Sequence, residues 1–123
     1  MALLSVQDIV EGGLEATYAS ATGGGDTVKI DGNAAGRLFL HVRNGHSSPQ
    51  TVTVTPATTS ANVPGFGTLT RAAIAVAVTN AEERFIPITE AAFANSSGLA
   101  AITYSGVTSL TIAAIRLPAP IGT

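Results

Sequence analysis

The chain has no cysteine and no tryptophan, and its charged residues amount to 11%. Each shortage excludes something. Without cysteine there is no disulfide framework and no thiolate metal site, and the redox compartment is left undetermined. With aromatics at 5% and no tryptophan, the exposed ring platforms that sugar-binding sandwiches use are scarce. The basic residues are Lys29 and five scattered arginines, so no basic stripe marks a nucleic-acid surface. No apolar run reaches the ~18 residues of a membrane-spanning helix. Met1 to Ser5 lacks the positive region and long apolar core of a signal peptide. The expectation is a soluble protein made in the cytosol, with no nucleic-acid or membrane partner.

The charge deficit is large against the ~25% of an average soluble domain. Disorder does not account for it, because disordered chains are charge-rich and poor in β-branched residues. A surface covered by partners, or solvated by Thr, Ser and Asn, does. The hydrophobic fraction is 46%, much of it alanine, so the core is expected to be built on Val, Ile and Leu. A length of 123 residues fits one domain.

Ser5 to Glu11 reads as a short helical turn or arm, with Ser5 as N-cap, Asp8 three residues on, and Gly12-Gly13 as the stop. Leu14 to Tyr18 reads as a short strand or extended arm. Val28 and Ile30 share a face after the Gly23-Gly24-Gly25 loop. The chain then turns at Asp31-Gly32-Asn33. Leu38, Leu40 and Val42 alternate with Arg37, Phe39, His41 and Arg43 as a half-buried strand. Asn44-Gly45 to Pro49 predicts a hairpin connection into Gln50–Thr55, valines inward and threonines outward. Residues 56 to 68 read as a long irregular loop. Ile74, Val76 and Val78 alternate with alanines, an outward face that predicts cover by another element or chain. Glu83 to Ile88 is a strand whose Pro87 favours an edge. Thr89 to Phe93 reads as one helical turn. Ala100, Ile102 and Tyr104 line one strand face, and Ser105-Gly106 turns into Ser109 to Leu117, with a bulge expected near Ala113.

About eight short strands at regular spacing predict an all-β, antiparallel sandwich. The expected division is residues 1–13 as an N-terminal arm, 14–117 as the sandwich and 118–123 as an exposed tail.

Catalytic patterns are missing. The Gly23–Thr27 segment lacks the Gly-Lys-Ser/Thr ending of a phosphate loop. His41 and His46 have no nearby carboxylate in sequence and read as a solvated strand residue and a loop residue. Glu82 and Glu83 are strand neighbours that face opposite ways, unlike an acid–base pair. Asp26 and Asp31 lack calcium-loop spacing, and no serine sits in a Gly-x-Ser-x-Gly elbow. The expectation is no enzyme and no cofactor.

Val42-Arg43-Asn44-Gly45 with Pro49-Gln50-Thr51-Val52-Thr53-Val54, and the ending Ile102 to Leu117, resemble the capsid decoration (cement) proteins of tailed bacteriophages. The resemblance spans roughly residues 8 to 117 and rests on strand and turn patterns, with no catalytic residues to carry over. It implies a jelly-roll-like sandwich on the virion exterior, with the major capsid protein as partner and a homotrimer as one assembly form. Such proteins lock the expanded shell against internal DNA pressure. Under that reading the N-terminal segment (Leu3, Leu4, Val6, Ile9) and Phe66 in the long loop are the candidate capsid or neighbour contacts. The rivals are a head-fibre or adhesion module binding a host surface or glycan, a tail-tube or head-completion subunit, and a small β-sandwich enzyme.

Overall fold

The computed structural model describes residues 2–30, 37–57, 60–88 and 93–118. Among these described residues twelve strands form mixed sheets: β1 (Ala2–Leu4), β2 (Val6–Asp8), β3 (Ala19–Ser20), β4 (Asp26–Lys29), β5 (Leu38–Asn44), β6 (Gln50–Thr55), β7 (Ser60–Val63), β8 (Gly67–Thr70), β9 (Ile74–Val78), β10 (Glu83–Ile88), β11 (Leu99–Tyr104) and β12 (Leu110–Arg116). One sheet runs β1-β4-β11-β6-β9. A second runs β10-β5-β12-β2, with β3 also paired to β12, and β7-β8 form a separate ribbon. The expected antiparallel arrangement of about eight strands is corrected to mixed sheets, because β1/β4 and β12/β2 pair parallel while the rest are antiparallel.

The period-two alternation places the core. Leu38, Leu40 and Val42 of β5, Ile86 and Ile88 of β10, and Leu110, Ile112 and Ala114 of β12 share one apolar cluster with Val28, Val52, Val54, Ala100 and Ile102 of the other sheet. Every one of these is buried. At about 2 kcal/mol per fully buried Leu, Ile or Val side chain, this shared cluster is the main stabilising term. Pro87 lies on the edge strand β10, where its missing N–H breaks no ladder bond on the outer side.

Four local expectations are corrected. No helical turn forms at Ser5–Glu11. Val6–Asp8 instead runs beside β12, where Asp8 takes a two-bond ion pair from Arg116 at 2.5 and 2.9 Å. Sheet pairing plus a guanidinium partner outcompetes a single unsupported turn. Asn44-Gly45 is not a hairpin: β5 and β6 belong to different sheets, and the five residues between them span the gap as an arch. Residues 56 to 68 are not irregular throughout, because Ser60–Val63 and Gly67–Thr70 pair as a ribbon inserted between the antiparallel neighbours β6 and β9. No bulge interrupts β12, which pairs with β5 in continuous register from Leu110↔Asn44 to Arg116↔Leu38. Ile115 is buried on the outer side of the sheet, opposite Phe39. The turn expected at 31–33, nearly all of that at 89–93 and the tail beyond Pro118 lie outside the described residues.

One glycine is fixed by geometry. Gly25 has φ of +96°, and a Cβ there would sit 2.7 Å from the Ile102 carbonyl oxygen. Gly25→Ala is expected to cost about 2 kcal/mol through left-handed strain and displacement of β11. Urea denaturation would measure it; a loss below a few tenths of a kcal/mol would show that the β4–β11 pair absorbs the methyl.

Candidate functional site

The candidate contact residues fall into two groups. Leu4 is buried and Val6 packs against the core, so both serve the interior. Ile9 is half-buried, and its amide donates to the Arg116 carbonyl at 3.0 Å. Leu3 is exposed, on the strand beside β4. Phe66 is 86% exposed, at the tip of the β7–β8 ribbon.

The ribbon follows from its turn. Pro64 and Gly65 occupy the central positions between Val63 and Phe66, Gly65 has φ of +82°, and the Phe66 amide donates to the Val63 carbonyl at 2.9 Å. Proline followed by a left-handed glycine is the signature of a type II turn. The register pairs Ala61 with Leu69 and Val63 with Gly67, while Ser60/Thr70 and Asn62/Thr68 face the other way. One side of the ribbon is therefore apolar. Leu69 on that side is 59% exposed, and every residue of β8 is open to solvent. An isolated two-stranded ribbon is marginal in water, and its apolar side gains by being covered. The sequence carries no Asp, Glu, Lys or Arg between Arg43 and Arg71, so no formal charge opposes burial there. Beyond the ribbon, β9 is an edge strand with Ala75 and Ala77 exposed.

No protein-family model, curated protein or solved structure matches this chain.

His41 is the residue that sequence reasoning misplaced. It is buried, with Nε2 2.8 Å from Glu83 Oε1 and Nδ1 2.5 Å from the Tyr18 hydroxyl. With Nε2–H donating to the carboxylate, Nδ1 accepts from the phenol. Arg43 lies 4.7 Å over the Tyr18 ring and 3.8 Å from the Glu83 carboxylate. The carboxylate is far away in sequence but directly across the sheet, because Glu83 pairs with Arg43 and Phe85 with His41. The Glu82–Arg84 pair lies on the opposite side of β10. There the Thr79 amide and then Arg84 hold the Glu82 carboxyl below its ordinary range. Among the described residues no group of three or more His, Asp or Glu side chains could hold a metal ion.

Proposed function

We propose that the chain is a capsid decoration protein: a jelly-roll-like sandwich that binds the outer surface of an icosahedral phage shell and stabilises its expanded form. The major capsid protein is the partner. The observation that supports this best is the uncharged ribbon, which carries Phe66 and Leu69 with no cover from the described residues of the chain. An exposed aromatic at the tip of a rigid turn is suited to anchor in a partner's pocket. A protein that binds only the expanded lattice stabilises it by mass action, and many copies act together over one shell.

Co-sedimentation with expanded and unexpanded shells of the cognate phage tests the reading. Saturable binding to expanded shells alone, with a raised shell melting temperature, supports it; no binding to either overturns it. Phe66→Ser is expected to leave the protein's own melting temperature unchanged, since the side chain is almost wholly exposed, and to weaken shell binding at least about tenfold. Unchanged binding would move the contact elsewhere. The adhesion-module reading predicts binding to a host surface without any shell.

A further inference from the structure

On the outer side of the second sheet, β10 and β5 stack three cross-strand pairs in a row: Pro87 with Phe39, Phe85 with His41, and Glu83 with Arg43. Phe85 is 64% exposed although it lies on a sheet face beside buried neighbours. Its ring is stacked on the His41 imidazole, with centroids 4.3 Å apart and planes 11° apart, and meets Phe39 edge-on at 5.7 Å. His41 cannot swing away, because both its nitrogens are engaged, by Glu83 and by Tyr18. One face of Phe85 is thus backed by a fixed ring, leaving a flat aromatic surface that needs no ordering before use.

The row runs into a groove of about 290 Å³ lined by Arg43, Asn44, Gly45, Glu82, Glu83, Ser109 and neighbours. The groove offers a guanidinium, the Glu83 carboxylate and a hydroxyl one strand step, ~7 Å, from the aromatic pair. Its charges are compensated on this face, where the Glu83 carboxylate lies between His41 and Arg43. An anion would meet the Glu83 carboxylate and a cation would meet Arg43. An uncharged ligand with vicinal hydroxyls and one apolar face meets neither obstacle.

We infer that this face is a carbohydrate-binding site for a neutral hexopyranose. The sugar's C–H face stacks on the negative π-face of Phe85, and its hydroxyls bridge Glu83 and Arg43 at the groove. The site is separate from the ribbon, and its existence does not depend on shell binding.

A two-dimensional amide NMR titration of the full chain tests this. The probes are methyl α-glucopyranoside, methyl α-mannopyranoside, methyl β-galactopyranoside and N-acetylglucosamine. Sorbitol serves as an acyclic control that carries hydroxyls without a flat ring face. At least one pyranoside is expected to shift the amides of 41–43 and 83–87 saturably, with a millimolar Kd of the kind expected for a single small ring, and sorbitol is not. Phe85→Tyr keeps the π-face and is expected to retain affinity. Phe85→Leu keeps apolar area alone and should lose about tenfold or more, worth ~1.4 kcal/mol. Melting curves of both variants establish that they are folded. No saturable shift with any pyranoside, an equal response to sorbitol, or unchanged affinity in Phe85→Leu would overturn the site. If the sugars leave the spectrum unmoved and Phe85→Leu instead weakens shell binding, the face is a protein interface and the carbohydrate reading is wrong.

Discussion

Replacing Asp26 with alanine is expected to lower stability by about 4 kcal/mol, or a melting temperature drop of roughly 15 °C, because three donors converge on that one buried carboxylate. Asp26 is fully buried at the start of β4. Its Oδ1 accepts from the Ala2 amide at 3.2 Å; its Oδ2 accepts from the Thr22 amide at 3.2 Å and the Tyr104 hydroxyl at 2.7 Å. These bonds tie β1, the turn before β4, and β11 to one point. Alanine strands all three donors, whereas Tyr104→Phe removes one donor and should cost only about 1 kcal/mol. Calorimetry of both variants makes the comparison. A loss for Asp26→Ala no greater than for Tyr104→Phe would mean that water replaces the carboxylate.

The same site carries a pH signature. Burial alone pushes the Asp26 carboxyl up, but the Tyr104 hydroxyl and then Thr22 and Ala2 outweigh it and hold it below the ordinary range. Burial and the neighbouring carboxylate push the Tyr104 phenol strongly up, so it stays a donor throughout the neutral range. A depressed folded value means the native state holds the proton more weakly than the unfolded chain. The stabilisation is therefore complete above the ordinary carboxylate range and fades as pH falls through the lowered value. The gap between wild type and Asp26→Asn should accordingly be widest near neutrality and narrow in acid. A gap that stays constant with pH would rule out the carboxylate as its source.

Most of the core was legible in the sequence, because alternation at period two names the inward residues without any knowledge of strand pairing. Leu38, Leu40, Val42, Val52, Val54, Ala100 and Ile102 are all buried as expected. Among the described residues, three of the four buried polar side chains were legible by the same rule, though less conspicuously, and His41, out of phase with its strand's apolar row, was not. Asp26 is in phase with Val28 and Ile30, Asn44 with Leu40 and Val42, and Gln50 with Val52 and Val54. A polar residue in phase with an apolar row is an interior residue with partners to find. Which strands pair was not legible. Asn-Gly is a strong local hairpin signal, yet here the Asn44 side chain is drawn inward and the following residues cross between sheets. Short parallel strands such as β1 and β2 give no periodic signal over three residues each. The Phe85–His41–Glu83 face was invisible for the same reason: it joins residues more than forty positions apart through the β5–β10 register.

Asn44 is the test of how those crossovers are held. Its Nδ2 donates to the carbonyls of Val78 at 2.8 Å and Ser48 at 3.1 Å, and its Oδ1 accepts from the His46 amide at 2.8 Å and Gln50 Nε2 at 2.9 Å. Gln50 Nε2 also donates to the Thr108 carbonyl at 2.9 Å. The amide pair thus joins the β5–β6 crossover to the β11–β12 crossover and to the end of β9. Gly106 lets them approach, since a Cβ there would lie 2.7 Å from Gln50 Oε1. Asn44→Ala removes four hydrogen bonds at a buried position and is expected to cost about 3 kcal/mol. Asn44→Asp separates geometry from charge. It keeps the shape and the acceptor, but sets an anion against two carbonyl oxygens. That variant should lose at least as much at neutral pH and regain part of it in acid, where the protonated carboxyl can again donate to one of them. The sign is opposite to that at Asp26: a carboxyl raised in the folded state destabilises above its unfolded value, and the penalty fades as pH falls. Urea denaturation of both variants at neutral and acid pH reads the two effects. If Asn44→Asp shows no recovery in acid, the Val78 and Ser48 carbonyls are not what holds the crossovers together.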